Sequence, residues 1–142
     1  MIRQEIYIKD YDWVVHAFYA VTEYYVEDIM DYLWELGCDA HKAKQAYENM
    51  TSGQMNNGLC YSNYAKKESV LVIAKTTSAE EFTNSMFHEL THLQSHIAQV
   101  FHLSPTDEEV AYLTGDVIMQ MYPKVKRFMC NCCRKQQAYE EE

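Results

Sequence analysis

Residues 78–101 read SAEEFTNSMFHELTHLQSHIAQVF, and this stretch predicts an amphipathic helix. Ser78 followed three residues later by Glu81 has the spacing of a capping box, in which two side chains satisfy free backbone N–H groups at a helix N-terminus. Apolar side chains then recur at steps of three and four. They are Phe82, Met86, Leu90, Leu93, Ile97, Val100 and Phe101. We therefore expect this helix to pack one face against a core.

Two histidines within this helix lie four residues apart. His88 and His92 project from one face, beside the apolar stripe, and can share a single metal ion. Glu89 lies next to them, where a carboxylate can reach a water molecule held at that metal. His-Glu-x-x-His is the pattern in which two neutral imidazoles bind zinc and the glutamate acts as a general base. The motif therefore predicts a zinc site with Glu89 as its base.

A second helix is predicted shortly after the first. Ser104 is a suitable N-cap with Pro105 in the first turn, and Tyr122-Pro123 is a plausible end. A helix, a short turn and a second helix is a layout in which a glutamate of the second helix can complete a metal site. Catalytic zinc takes three protein ligands and keeps one open position, so the first turn of this helix is where we look for the third ligand.

Glu108 and Glu109 are the two candidates for that ligand. At about 100° per residue, Glu109 falls on the polar face of the second helix. Glu108 falls with Ala111, Gly115 and Met119, and the small side chains among them would allow the first helix to approach closely. We therefore expect Glu108 to be the third ligand and Glu109 to be solvated.

His96 follows His92 by four residues but does not extend the motif to a third histidine ligand. A helix rises about 6 Å over four residues, so the first and third histidines of such a trio cannot share one tetrahedral ion. The pattern that would add a histidine six residues after His92 has Ala98 at that position. We expect His96 to be a supporting or solvated side chain.

The rest of the chain predicts a scaffold of strands and further helices. The predicted strands are 6–8, 13–21, 58–63 and 69–74, and the predicted helices are 22–37 and 39–50. Residues 13–21 are apolar at nearly every position, which is typical of a buried central strand. We predict an α+β fold, with a small, mostly antiparallel sheet packed against helices. An exposed edge strand beside the histidine helix could pair with an extended peptide.

These motifs carry a family resemblance. His88-Glu89-Leu90-Thr91-His92 followed by Glu108-x-x-Ala111 resembles the gluzincin pattern, and the span 58–122 is similar to small metallopeptidases of phages and gut bacteria. The resemblance implies a zincin-like active-site helix, Zn²⁺ held by His88, His92 and Glu108, and Glu89 as the base. The chain departs from thermolysin-like enzymes in its short spacing, 15 residues between His92 and Glu108, and in having no large second lobe.

The leading functional hypothesis is a zinc-dependent metallopeptidase that hydrolyses peptide bonds. Tyr112, which neighbours Glu108 on the second helix, is the candidate for stabilising the oxyanion. The first alternative is a catalytically silent zinc-binding module with a regulatory or interaction role, possible in a phage setting. A second alternative is a phage-associated structural protein in which the histidine motif has no function.

Composition limits the remaining classes. The 142 residues suit one domain, 48% are hydrophobic, and no apolar stretch is long enough for a bilayer. A net charge of −9 argues against nucleic-acid binding, and without a readable signal peptide we expect a cytoplasmic protein that acts on peptides or proteins. Cys130, Cys132 and Cys133 lack the paired spacing of a structural zinc site, and we expect the tail from about residue 130 to be poorly ordered.

Overall fold

The computed structural model describes residues 2–22, 26–51 and 58–132. These residues form one sheet of four strands with two helices on each face. The elements in chain order are β1 (Ile2–Ile8), β2 (Trp13–Val21), α1 (Val26–Glu35), α2 (Ala40–Thr51), β3 (Gly58–Asn63), β4 (Glu68–Ala74), α3 (Ala79–Val100) and α4 (Glu108–Val125). The α+β prediction is confirmed.

The strand order across the sheet is β1-β2-β4-β3. The two outer pairings are antiparallel, whereas the central pairing of β2 with β4 is parallel. The sheet is therefore mixed and not simply antiparallel. Parallel neighbours need a long crossover, which here contains α1, α2 and the edge strand β3. The prediction of residues 13–21 as a central strand is confirmed, and β3 lies at an edge of the sheet.

Each face of the sheet has its own hydrophobic core. Alternate side chains of β2, among them Trp13, Val15 and Tyr19, pack against α3 and α4 on one face. Phe18 and Val21 point to the other face, where α1 and α2 cover them. The alternation as far as Tyr19 is the normal consequence of strand geometry, and the register shift between Tyr19 and Val21 returns Val21 to the face of Phe18. The histidine helix and α4 therefore lie side by side on the other face.

The helix ends agree with the sequence in α3 and differ in α4. Ser78 caps α3 by accepting a hydrogen bond from the backbone N–H of Glu81 at 3.1 Å. In α4 the N-cap is Asp107 and not Ser104, because the Asp107 carboxylate accepts the Ser104 backbone N–H at 2.8 Å and closes the preceding turn. Pro123 lies inside α4, which continues to Val125. A proline removes one helical hydrogen bond, and the burial of Val125 offsets that loss.

The chain beyond α4 returns to the start of α3. The side chain of Asn131 accepts a hydrogen bond from the backbone N–H of Ala79 at 3.0 Å and donates one to Glu80 at 3.1 Å. The predicted disorder of the tail, and Cys133 with it, falls largely on residues 133–142, which lie outside the described residues. Within the described ranges, no helix combines the length and apolar character needed to cross a membrane.

Candidate metal centre on helix α3

Helix α3 lies over β3 and β4, and its histidines are on the flank toward the edge strand. His88 and His92 are exposed, with ring centroids 5.0 Å apart and ring planes at 74°. The His88 side chain is 51% exposed. The two imidazoles therefore lie side by side and are open to a ligand, as the spacing of four residues on a helix predicts.

Glu89 is on the same turn but has a different environment. It is only 4% exposed, and its Oε1 lies 4.0 Å from His88 Nε2. Burial raises the pKa of the Glu89 carboxyl, and His88 only partly opposes this effect. A carboxyl group that is buried in this way can hold a proton closer to neutral pH than a solvated one. Glutamate is among the residues least often buried, which makes Glu89 the most unusual group on this flank.

The edge strand β3 supplies the wall beside Glu89. Burial raises the pKa of the Cys60 thiol, and the negative charge of Glu89 raises it further. Cys60 therefore lies close enough to feel the charge of the carboxylate. Further along the two elements, Ser62 Oγ lies 2.7 Å from His96 Nδ1. The polar flank of α3 thus faces the side chains of β3 that point to this side of the sheet.

A chain of hydrogen bonds connects His96 to the core. Trp13 Nε1 donates to Ser69 Oγ at 2.8 Å, and Ser69 Oγ lies 2.6 Å from Ser62 Oγ. The indole N–H can only donate, so Ser69 accepts it. Either serine can be the donor in the Ser69–Ser62 bond, and in one arrangement Ser69 donates to Ser62. Ser62 then donates to His96 Nδ1. This order leaves the proton of a neutral His96 ring on Nε2. Burial, followed by the effects of His92 and Lys42, lowers the pKa of His96 and favours that neutral form.

Sequence reasoning treated His96 as a supporting or solvated residue, and it missed the hydroxyl groups that hold it. In the sequence, only weak features indicate that these hydroxyl groups contact His96. Ser69 opens the apolar run of β4, where a fully buried serine needs a hydrogen-bond partner. Ser62 shares the alternate face of β3 with Cys60. Neither observation identifies a partner on α3 without the strand order.

The structure does not bring Glu108 to the histidines. Glu108 is exposed, and so are Ala111, Gly115 and Met119, the residues that the helical-phase argument placed against α3. A Cβ atom built on Gly115 would meet no atom within 4 Å. The inward face of α4 consists of Val110, Leu113, Val117, Met121 and Val125. The phase argument was wrong because burial of this branched and apolar stripe, and not close approach at the small residues, sets the rotation of α4.

The position of α4 along α3 leads to the same conclusion. The Thr114 hydroxyl is hydrogen bonded to Gln94, so the N-terminal turn of α4 lies toward the C-terminal end of α3. Tyr11 contacts Phe101 at a ring-centroid distance of 4.9 Å, and its raised pKa, caused mainly by burial, also reflects the charge of Glu109. From His92 to Phe101 the helix rises about 13 Å. The first turn of α4 is therefore at the far end of α3 from His88.

Tyr112 does not take the position expected of an oxyanion stabiliser. Its side chain is 71% exposed on the outward face of α4. In the described parts of the chain, no group of three or more His, Cys, Asp or Glu side chains is arranged to hold a metal ion. The structure thus places His88, Glu89 and His92 on one helical flank and leaves Glu108 and Tyr112 elsewhere.

No protein-family model matches the chain, and no curated protein or solved structure is significantly similar to it. The side chains of the site are therefore the basis for assigning a function. Two exposed imidazoles with a carboxylate beside them fit the donor chemistry of zinc, whereas the third protein ligand expected at Glu108 does not fit.

Proposed function

We propose that this chain is a zinc-dependent metallopeptidase whose active site lies on the flank of α3 that faces β3. The observation that carries the proposal is the position of a buried carboxylate, Glu89, on the same helical turn as two exposed imidazoles. A carboxylate is costly to bury, so the burial of Glu89 beside an open pair of metal-binding groups favours a chemical role.

His88 and His92 would supply two of the three protein ligands of Zn²⁺ as neutral nitrogen donors, and the described residues show no third ligand beside them. When bound, zinc supplies a Lewis acid that acidifies water and polarises a carbonyl group. Glu89 would accept the proton of an attacking water molecule and deliver it to the leaving amine. The raised pKa of its carboxyl suits this second task, because the group must hold the proton between the two steps.

The third ligand is where our proposal departs from the gluzincin pattern. Since Glu108 is exposed at the far end of α3, we expect Glu108→Ala and Glu109→Ala both to retain zinc. Zinc content per purified chain measures this directly. Loss of zinc in Glu108→Ala alone would show that α4 rotates when the metal binds and would restore Glu108 as the ligand.

The edge strand β3 gives the proposed site a way to hold a peptide. β3 pairs with β4 on one side, and all six of its residues are partly exposed. An extended peptide can add to such an edge through main-chain hydrogen bonds, and it would then lie along the flank that carries Glu89 and His96. The net charge of −9 would favour basic peptides.

A zinc-binding interaction module without turnover is the second candidate. The observation in its favour is that the described residues supply two histidines but no third ligand beside them. Such a module would bind zinc between His88 and His92 and use Glu89 only to orient the site.

Three proteins measured side by side separate these functions. We expect the wild type to purify with about one zinc per chain and to cut members of a peptide library. Glu89→Gln should retain zinc while turnover falls about 10²–10⁴-fold, because the amide cannot accept the proton. His88→Ala should lose both zinc and turnover.

Matched controls are available on α2, where Glu48→Gln and His41→Ala change exposed residues of the same types. Both controls should behave as the wild type. Zinc binding with no turnover in any protein would favour the interaction module. No zinc in the wild type, or undiminished turnover in Glu89→Gln, would exclude the proposed mechanism.

A further inference from the structure

The outward face of α4 carries apolar side chains where solvent-exposed helices normally carry polar ones. Tyr112 is 71% exposed, Met119 is 75% exposed and Tyr122 is 56% exposed. Gly115 lies between them with open space above its Cα. A cluster of large exposed apolar groups is a common mark of a protein–protein contact. We refer to this face as the outward stripe. It consists of Glu108, Tyr112, Gly115, Met119, Tyr122 and Lys126.

The spacing of the outward stripe is that of a seam between two helices. Its members follow one another at alternating steps of four and three residues, which keeps them on one line along the helix. The line is opposite the buried residues Leu113, Val117 and Met121, so the same helix packs on its own core and presents a second apolar face. The seam extends for about 27 Å.

Two copies of the outward stripe are complementary to each other when they run in opposite directions. If two copies of α4 pair antiparallel about a two-fold axis at the level of Val117, Tyr112 meets Tyr122 of the second copy. Met119 then meets Gly115, whose missing side chain leaves room for a flexible thioether. Glu108 at one end meets Lys126 at the other. A two-fold contact needs a self-complementary surface of this kind.

The flanking charges favour the same arrangement. On one side of the stripe, Glu109 is exposed in the first turn of α4 and Arg127 lies in the turn that follows α4. An antiparallel pair brings Glu109 of one copy near Arg127 of the other. A parallel pair would bring like charges together, which costs free energy.

We propose that the outward stripe is a self-association surface through which two copies of this chain form an antiparallel α4–α4 dimer. The occupant of the stripe is a second copy, because the self-complementary spacing and the charge gradient have no role in docking an unrelated protein. This contact is on α4 and is separate from the flank of α3 that faces β3.

Sedimentation equilibrium of the full chain tests the dimer. Reductant is included because Cys132 is exposed and could form an unrelated disulfide link. We expect a dimer at micromolar concentration, and Met119→Glu should raise its dissociation constant about tenfold or more by placing a charge in the seam. Met119 is exposed, so this variant should keep the melting temperature of the isolated chain. A monomer at all concentrations up to about 100 µM, the range of weak association, would overturn the proposal.

Exchanging the charges of Glu108 and Lys126 tests whether the two α4 helices of the dimer are antiparallel. Glu108→Lys alone and Lys126→Glu alone should each weaken the dimer, because each places like charges together across the axis. The two changes in one chain should restore it. Glu108 begins α4 and Lys126 directly follows its last residue, so the two are about 27 Å apart and cannot contact each other within a chain. Restoration therefore requires pairing between copies. Glu48→Lys on α2 is the matched control and should have no effect. A dimer that is unchanged by the single exchanges, or not restored by the double exchange, would overturn the antiparallel arrangement.

Discussion

The flank of α3 and the outward face of α4 both depart from the usual rule that polar side chains are exposed and apolar side chains are buried. On α3, polar groups such as Glu89 and His96 are buried or half-buried against the edge strand. On α4, Tyr112 and Met119 are exposed. A buried polar group and an exposed large apolar group are the two observations about burial that carry functional information. The buried polar groups of α3 are the basis for the proposed chemical site, and the exposed apolar groups of α4 are the basis for the proposed contact surface.

The largest expected contrast is between an inward residue of α3 and an outward residue of α4. Leu93 is 1% exposed in the core, so Leu93→Ala should lower the free energy of unfolding by about 2–5 kcal/mol, through lost burial and a cavity. Met119→Ala should change it by less than about 0.5 kcal/mol. Urea denaturation at a concentration where the chain is monomeric measures both. A large loss for Met119→Ala would mean that α4 has a covered outer face within one chain.

Two glycines sharpen the comparison. Gly58 begins β3 at φ +131°, and an added Cβ would lie 1.8 Å from the carbonyl oxygen of Val72. Gly58→Ala should therefore destabilise the fold by about 2–3 kcal/mol or more, and it should disturb the β3–β4 register beside the site. Gly115→Ala should instead stabilise the isolated chain by about 0.5–1 kcal/mol, because alanine favours the helix and nothing obstructs its side chain. Denaturation of the two variants gives the sign of each effect.

The buried hydroxyl chain is the next test of the polar flank. Ser69→Ala should cost about 1–3 kcal/mol, because it leaves the Trp13 N–H without its acceptor in the core. Ser95→Ala is the control, since Ser95 is on the same helix as His96 but outside the chain of hydrogen bonds, and it should cost less than about 0.5 kcal/mol. Equal stability of the two variants would show that the hydroxyl chain contributes nothing to the fold.

The smallest expected effect is a dependence of stability on pH. Because burial lowers the pKa of His96 below its ordinary value of 6.5, the unfolded chain takes up a proton before the folded chain does as the pH falls. The contribution of His96 is therefore complete above about pH 6.5 and decreases below it. Glu89 has the opposite effect on stability as the pH falls. Its raised pKa means that the folded chain takes up a proton before the unfolded chain does.

The variant His96→Gln separates these two effects. Urea midpoints at pH 7.5 and 5.5, the two sides of the ordinary histidine pKa, should decrease less in His96→Gln than in the wild type. The neighbours Glu89, Cys60, His92 and Lys42 stay in place in both proteins. An identical decrease would mean that His96 does not contribute to the pH dependence.

Local patterns predicted most of the elements. The cap at Ser78, the apolar period of α3 and the β-branched run of β4 each depend on neighbours within a few residues, and these predictions are confirmed. The parallel pairing of β2 with β4 was not predicted, because it joins residues separated by two helices. The end of α4 was placed too early because a proline in the last turn is tolerated when the next apolar residue is buried.

The candidate site also has one part that local sequence patterns predict and another part that depends on distant residues. Two histidines four apart must share a face of any helix, so helical spacing alone brings His88 and His92 together beside Glu89. Only the tertiary structure decided what surrounds them. It rotated α4 so that Glu108 and Tyr112 point to solvent, and it placed β3 against Glu89 and His96. The physical reason is that helical periodicity sets angles within one helix, whereas the rotation of that helix depends on which apolar stripe its neighbours bury.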